Sequence, residues 1–271
     1  MSDGLGTVSI ESVAFWAPTL PGWAAARAAL RGEGALADPP ARRPAPELLA
    51  AAERRRAPDT VSLALEVAAG AVREAGLDAR DLACVFTSAH GDLAVNDYMC
   101  TTLAAQPTLI SPTKFHNSVH NAAAGYWTIG TGCMAPSTAL TAFENSFAAG
   151  LLEAVLQCRA DSRPVLLVAF DVQSVGALAT VTRSTGLLAV ALIIAPTRGE
   201  QSVATVRLAL ADGPTMPVPL RSAAARSLAD NAMADALPFF EALARDDPAA
   251  IDLPLSASLA LRLTPMPASD A

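Results

Sequence analysis

A short β-prone run that leads directly into a buried helix is the feature that most limits how this chain can fold. Residues 137–142 read STALTA, and the apolar residues that follow Asn145 recur at helical spacing. They are Phe147, Ala148, Leu151, Leu152, Val155 and Leu156. A strand, a sharp turn and a helix therefore follow one another, and Glu144 lies at the turn. There the first amide groups of the helix point outward, a geometry that suits a nucleophile or a bound anion.

Further strands and helices alternate along the chain. The predicted strands cover residues 8–15, 82–87, 165–170, 186–194 and 203–210. The predicted helices cover residues 23–30, 47–56, 62–75 and 96–105, and Gly76 is expected to end the third of them. This alternation predicts an α/β layered fold with a mostly parallel central sheet.

The residues after Asp212 have a weaker pattern. Residues 227–244 predict a helix that Pro238 interrupts, and residues 256–263 alternate like one more strand. We therefore expect a main unit over residues 1–212 and a C-terminal appendage over residues 213–271 that packs on the same domain.

Composition and charge argue against several classes of protein. The chain has 271 residues, 52% of them hydrophobic, and a net charge of −7, so a nucleic-acid partner is not expected. The N-terminus lacks the basic residues and the apolar run of a signal peptide, and the longest apolar run, residues 186–195, is too short to span a bilayer. The four cysteines are widely spaced, which is typical of reduced thiols in a cytoplasmic protein.

The residues that precede the turn follow a known family pattern. Those that match it without a gap are Ser111, Pro112, Asn121, Ala123, Ala124, Gly125, Ile129, Gly132 and Pro136. The stretch resembles the β-ketoacyl synthases of the thiolase fold, and in the same register the active-site cysteine of that family falls on Glu144. Within the superfamily, the run FHNSVHNAAAGYW is most similar to the short ketosynthase-like chain length factors of aryl polyene biosynthesis.

A second register would align residues 135–140 with the family's ACSSSL segment and place Pro136 at the nucleophile position. It leaves GTGCMA, with two glycines, as the preceding strand and stretches the following helix to Arg159. The Glu144 register leaves a six-residue strand and a fifteen-residue helix, both of ordinary length, and we favour it for that reason. Neither register supplies a cysteine.

The resemblance implies a non-catalytic subunit. A condensing ketosynthase needs its cysteine and two further groups, typically histidines of a second half, whereas the histidines here are His90, His116 and His120. The family implies a heterodimer with a complete ketosynthase subunit, whose acyl tunnel this chain would close, and contact with acyl carrier protein through that complex. The implied tunnel and partner contacts are Thr113, Phe115, His116, Asn117 and Ser118. The implied dimer-interface strand is Ser137, Thr138, Ala139, Leu140, Thr141 and Ala142, and Glu144 is the nucleophile-equivalent position.

Other interpretations of Glu144 stay open. It could act in a decarboxylase or an acyl hydrolase that works alone. It could instead form a capping box with Thr141, because the two have the S/T-x-x-E spacing of that motif. The whole chain could also be a purely structural stabiliser of its partner.

The histidines allow two further interpretations. His116 and His120 are four residues apart and could share a helix face, but a zinc site needs three or four ligands and no clear third one is near. No metal or cofactor is therefore predicted. His90 with Ser88 and Asp92 would make a hydrolytic triad, but the chain has no G-x-S-x-G motif, and a turn is expected after His90.

Overall fold

One mixed β-sheet organises the chain in the computed structural model, which describes residues 4–213 and 215–266. The strands are β1 (Gly4–Ala17), β2 (Leu20–Pro21), β3 (Ala83–Thr87), β4 (Ser137–Leu140), β5 (Val165–Val172), β6 (Leu187–Ala195), β7 (Ala204–Asp212), β8 (Ile251–Ser256) and β9 (Leu259–Met266). The α-helices are α1 (Trp23–Arg31), α2 (Ala51–Arg56), α3 (Asp59–Ala75), α4 (Leu93–Ala105), α5 (Pro112–His116), α6 (Ala122–Thr131), α7 (Ser146–Asp161), α8 (Ala223–Arg226) and α9 (Leu237–Arg245). The strand order is β4-β3-β5-β6-β1-β7-β9-β8, and β2 pairs with the end of β1.

Parallel pairing joins β3 to β4 on one side and to β5 on the other. Helices connect these three strands, as parallel neighbours require. The other strands pair antiparallel, and the connections from β5 to β6 and from β6 to β7 contain no α-helix. The predicted α/β layered fold is confirmed. Its parallel part is the β4-β3-β5 end of the sheet, and the remainder is more antiparallel than the alternation of strands and helices indicates.

Buried side chains alternate between the two faces of the sheet. In β5, Val165 and Leu167 join one apolar core, and Leu166 and Val168 join the other. Residues of α1, α7 and α9 complete the first core, and residues of α3 and α6 complete the second. Because helices cover both faces, β5 and β6 are apolar along almost their whole length.

For the C-terminal part, the helix prediction was wrong and the strand prediction is confirmed in part. Pro238 does not interrupt a long helix but lies in the first turn of α9, where a proline needs no amide donor. Residues 259–263 of the strand predicted over 256–263 belong to β9, which continues to Met266, but β9 also forms a hairpin with β8, and the prediction did not include β8. All of β9 pairs with β7, and Phe240 of α9 packs against Phe147 and Phe15, so the described residues after Asp212 share the sheet and the core.

Candidate active-site corner

The corner between β4 and α7 has a strained backbone. After β4 ends at Leu140, a 3-10 turn spans Phe143–Asn145 and α7 begins at Ser146. Phe143 has a φ of 53°, in the left-handed region that residues with a side chain seldom adopt. The Ser146 hydroxyl accepts a hydrogen bond from the Ala142 amide at 3.0 Å and donates one to the Phe143 carbonyl at 2.7 Å. Strand, turn and helix thus follow one another in the predicted order.

Glu144 lies in this turn with an exposed side chain. The capping box with Thr141 is not formed, because the Thr141 oxygen accepts from the Phe143 amide at 3.5 Å and not from the Glu144 amide. The Thr141 hydroxyl donates to the Ala89 carbonyl 2.7 Å away, and the Ser146 hydroxyl bonds the turn at Ala142 and Phe143. The capping-box interpretation is therefore wrong. The strained residue of the corner is Phe143, one position before the predicted nucleophile-equivalent position.

A cavity of about 580 Å³ opens beside the turn. Glu144 and Asn145 contribute to one part of its lining, and residues after Asp212 contribute the rest. The apolar residues of the lining include Pro217, Val218, Leu220, Pro238, Leu253 and Pro254. Asp235 brings a second carboxyl group to the cavity, so the corner faces the C-terminal part of its own chain.

Asp235 is bonded to the first turn of α7. Its Oδ2 atom accepts a hydrogen bond from the Phe147 amide at 2.9 Å. The residue as a whole is half-buried, but its Oδ1 atom is shielded from solvent and has no hydrogen-bond partner among the described residues. Burial raises the pKa of Asp235 to about 8, and the nearby Asp171 carboxylate also raises it. Near neutral pH the group is therefore mostly a neutral acid that satisfies a helix amide.

A second acid, Asp171, is fully buried at the end of β5. It accepts hydrogen bonds from the Ser88 hydroxyl at 2.7 Å and the Ala89 amide at 2.8 Å, and its Oδ1 atom lies 3.6 Å from Nδ1 of His90. Burial raises the pKa of Asp171 above its usual range, although His90 and these hydrogen bonds act in the opposite direction. Ser88 and His90 therefore meet Asp171 and not Asp92, which caps α4.

The sequence reasoning missed both of these acids. Asp171 had a usable signal, because it stands near the end of the apolar strand VLLVAFDV and a buried carboxyl group must find hydrogen-bond partners. Asp235 had none. It falls where a continuous helix was predicted, and its contact with Phe147 joins residues 88 positions apart.

The predicted partner-contact residues lie on α5 and directly after it. Thr113, Phe115 and His116 are exposed, and Phe115 keeps 62% of its surface accessible. Asn117 is only 3% exposed, so in this conformation its side chain is not available to a partner, and the prediction is corrected there. Ser118 is half-buried, and its hydroxyl donates to the Phe115 carbonyl.

His116 and His120 have separate surroundings. The His116 ring packs edge-on against Tyr126, with 6.0 Å between the ring centroids. The Nε2 atom of His120 lies 3.0 Å from the Ser88 carbonyl oxygen. Over residues 4–213 and 215–266, no three His, Cys, Asp or Glu side chains come together in a way that could hold a metal ion.

The predicted interface strand is shorter than expected. The strand β4 ends at Leu140, so Thr141 and Ala142 belong to the corner. Thr141 uses its hydroxyl to bond the Ala89 carbonyl, which fastens the corner to the segment that follows β3. The four strand residues are exposed or half-buried.

The strands β4 and β8 form the two edges of the sheet. The carbonyls of Pro136 and Leu140 accept hydrogen bonds from amides of β3 and of the residue that follows it. Since backbone direction alternates along a strand, the amides and carbonyls of Ser137 and Ala139 point to the free edge. In β8, Pro254 lies within the strand, and a proline at an edge hinders the addition of a further strand. Within the described chain, only β4 therefore combines an open edge with a strand free of proline.

The cysteines do not supply a nucleophile at the corner. Cys84, Cys133 and Cys158 are buried, Cys100 is exposed, and all four are free thiols. Burial raises the pKa of the Cys84 and Cys158 thiols to about 11, which makes both poor nucleophiles near neutral pH.

A family model matches residues 23–251, which is most of the chain, and its description is β-ketoacyl synthase, N-terminal domain. The chain belongs to the β-ketoacyl synthase family. The resemblance seen between Ser111 and Pro136 is thereby confirmed. No curated protein matches the sequence.

Solved structures share this β-ketoacyl synthase fold. A chain from the complex of the ketosynthase ApeO with its chain length factor ApeC from Xenorhabdus doucetiae has a TM-score of 0.72 and 24% identity over 95% of this chain and 99% of that chain. The ishigamide ketosynthase/chain length factor has a TM-score of 0.70 and 15% identity over 97% of this chain and 100% of that chain. A chain from AntDE:AntF, a type II acyl carrier protein in complex with its ketosynthase bound to the hexaketide, has a TM-score of 0.71 and 10% identity over 98% of this chain and 100% of that chain. These likenesses show the thiolase-like α/β fold.

As a β-ketoacyl synthase domain, the chain has an atypical corner. The turn presents Phe143 and Glu144, and neither side chain can hold an acyl group as a thioester. One amide in the first turn of α7 is already bonded to Asp235.

In the part of the chain that the structure describes, none of the helices has both the length and the apolar character needed to cross a membrane.

Proposed function

We propose that this chain is a non-catalytic chain length factor. It pairs with a complete ketosynthase subunit, closes the end of that subunit's acyl tunnel and so sets polyene length in aryl polyene biosynthesis. The observation that carries the proposal is the strained corner between β4 and α7, which presents Phe143 and Glu144 and no cysteine. In the register of the family resemblance, this is the position of the cysteine in a condensing ketosynthase. The nucleophile-equivalent position is Glu144, and a carboxylate there cannot form the thioester that condensation needs.

The bond between Asp235 and α7 supports a role without condensation chemistry. Condensation needs donors that stabilise an oxyanion, and backbone amides at the start of a helix often provide them. Here the Phe147 amide already donates to the Asp235 carboxyl group at 2.9 Å. A reaction intermediate would have to displace that group before it could use this amide.

The free edge of β4 supports pairing with another chain. Unpaired edges attract further strands, and proteins commonly block them with proline, as Pro254 does in β8. The β4 edge contains no proline, and its residues Thr138 and Leu140 pair with β3 on the other side of the strand. Antiparallel addition of the partner's strand would continue one sheet across the interface and bury the outward backbone groups of β4.

The exposed face of α5 supports contact with an acyl tunnel. Phe115 is a large apolar side chain with 62% of its surface in water, and Thr113 and His116 are exposed beside it. Phenylalanine is enriched at protein–protein interfaces relative to the rest of the surface, which makes Phe115 a suitable partner contact. We assign Thr113, Phe115, His116 and Ser118 to the partner and tunnel contacts, with Phe115 as the wall.

The remaining parts of the proposal concern organisation. We assign residues 1–212 to the ketosynthase-like half and residues 213–271 to an appendage that completes the same domain; the pairing of β9 with β7 supports the packing of the appendage on that domain. Acyl carrier protein meets this chain through the heterodimer. The four free thiols support a cytoplasmic location, where thiols stay reduced.

Co-expression with the ketosynthase subunit of the same organism tests the proposal. We expect a heterodimer by size-exclusion chromatography and mass analysis, and condensation of malonyl units on acyl carrier protein by the complex alone. The Phe115→Ala complex should release longer products, because the tunnel wall recedes. Leu77→Ala, an exposed apolar residue that precedes β3, is the control and should leave product length unchanged. Lost assembly with unchanged length would favour a purely structural stabiliser, and turnover by the isolated chain would favour a decarboxylase or hydrolase that uses Glu144.

A further inference from the structure

Phe143 combines two features that rarely occur together. Its φ is 53°, and 65% of its surface is exposed. A residue with a side chain is destabilised in this conformation relative to glycine. An exposed phenyl ring also gains no stability from burial in the free chain. The stability of the isolated chain therefore explains neither the backbone nor the side chain, and strain of this kind is concentrated at functional sites.

Hydrogen bonds on both sides of Phe143 hold the residue in place. The Ser146 hydroxyl accepts from the Ala142 amide and donates to the Phe143 carbonyl. The Thr87 hydroxyl, buried at the end of β3, donates to the Ser146 carbonyl at 3.0 Å. Hydrogen bonds through Ser146 and Thr87 thus connect Phe143 to the core of the sheet, so the backbone that carries its ring is held rigidly.

Phe143 also continues the open edge of the sheet. It lies three residues after Leu140, the last residue of β4, and Thr141 between them is fastened to the Ala89 carbonyl. A partner strand that adds to β4 therefore meets this corner at the end of the strand. If a partner strand pairs with β4, burial of the exposed Phe143 ring against that partner would add a side-chain contact to the backbone hydrogen bonds.

We propose that Phe143 is an anchor residue for the ketosynthase subunit and that its ring fills an apolar pocket on that partner. The inference rests on the proposed heterodimer and adds a specific residue to it. The strain is kept because it aims the ring outward, and the energy of an interface is commonly concentrated in a few buried aromatic side chains. Glu144 stands exposed next to the ring, so the pocket rim should offer a cationic or hydrogen-bond-donating group, since an unpaired carboxylate would oppose burial.

Two substitutions separate the ring from the backbone. Phe143→Ala removes the ring and keeps a side chain in the left-handed conformation, whereas Phe143→Gly removes the ring and relieves the strain. In the free chain, Phe143→Gly should therefore unfold at a higher temperature than Phe143→Ala. Both variants should bind the purified ketosynthase subunit at least about tenfold more weakly than wild type. Because the Gly variant is expected to be the more stable one, weaker binding by it cannot be attributed to unfolding.

Leu77→Ala controls for the loss of any exposed apolar side chain. Leu77 is 37% exposed and precedes the start of β3, whereas Phe143 follows the end of the parallel strand β4, so the two lie at opposite ends of these strands. This variant should bind like wild type in the same calorimetric titration. Wild-type affinity for both Phe143 variants, with the wild-type complex formed, would overturn the assignment of Phe143 alone. Failure of the wild-type chain to bind the ketosynthase subunit would overturn the proposed function together with it.

Discussion

The Oδ2 atom of Asp235 lies 2.9 Å from the backbone nitrogen of Phe147, and this hydrogen bond joins the C-terminal part of the chain to the first turn of α7. The bond satisfies an amide that the helix itself cannot satisfy. It also places an acid with a strongly raised pKa directly behind the corner that holds Phe143 and Glu144. The stability of this corner should therefore respond to pH.

Asp235→Asn is expected to flatten that response. Burial raises the pKa of Asp235 from 3.8 to about 8, so between these values the folded chain holds a proton that the unfolded chain releases. The free energy of unfolding of wild type should therefore fall as pH rises from about 4 to about 8, with at most about 1.4 kcal/mol per pH unit from this group. Asparagine keeps an oxygen that can accept from Phe147 and does not titrate. Urea unfolding of both proteins across this range measures the difference, and equal slopes would contradict the assignment.

Asp252→Asn provides a control of opposite sign. The hydrogen bond from Arg262 lowers the pKa of Asp252, and the pair is well exposed. The contribution of Asp252 to the free energy of unfolding is therefore present above the pKa of the unfolded chain and is lost as pH falls. Because the pair with Arg262 is exposed, this contribution is about 1 kcal/mol or less. This variant should leave the fall in stability between about pH 5 and about pH 8 as in wild type.

Asp171→Ala is expected to destabilise the chain strongly. The substitution leaves the Ser88 hydroxyl and the Ala89 amide without their buried acceptor, which costs about 3 kcal/mol or more. Ser88→Ala is the milder comparison, because it removes a donor to Asp171 and an acceptor of the Gly91 amide but leaves the Ala89 bond in place. Chemical unfolding of both variants gives the two values. A loss for Asp171→Ala that is no larger than that for Ser88→Ala would show that the acid is not the centre of this cluster.

Two helical glycines should respond in opposite directions to alanine. A Cβ atom at Gly150 in α7 would lie 2.8 Å from Cγ2 of Thr87, so Gly150→Ala should destabilise the chain by about 1–3 kcal/mol. A Cβ atom at Gly125 in α6 would have no neighbour within 4 Å, and Gly125→Ala should stabilise by about 0.5–1 kcal/mol. Thermal unfolding of both variants tests whether α7 approaches β3 as closely as described. Equal shifts of the same sign would contradict that packing.

Much of the fold was readable from the sequence because its signals are local. The apolar runs locate β5 and β6 within one or two residues, and Gly76 ends α3 in the left-handed conformation expected of a helix stop. Strand direction was not readable, since the apolar pattern of β6 is the same for parallel and antiparallel neighbours. Pro238 was misread because proline disfavours the interior of a helix but is accommodated in its first turn.

The site was readable only in part. The corner follows from the order of a β-prone run and an apolar helix, and both are local patterns. The strain at Phe143 left no trace in the sequence, because phenylalanine is not a residue that favours positive φ. The bond from Phe147 to Asp235 and the burial of Asn117 depend on tertiary packing, which no spacing rule encodes.

Ala139→Pro is expected to weaken binding of the ketosynthase subunit while the free chain stays folded. The amide of Ala139 points to the open edge of β4, because the alternate residues Pro136, Thr138 and Leu140 are the ones that face β3. Proline at 139 therefore removes only an outward donor. If the partner's strand adds to this edge, it loses a ladder hydrogen bond and meets the proline ring, and affinity should fall by at least about tenfold.

Ala139→Ser keeps the amide and the small size of the side chain, so it should bind like wild type in the same titration. Circular dichroism of both free variants checks that the sheet is intact. A Pro variant that binds as tightly as the Ser variant would mean that the partner does not extend the sheet at β4. In that case α5 and the Phe143 corner would have to supply the contact by side chains alone, because the other edge of the sheet carries Pro254 within β8.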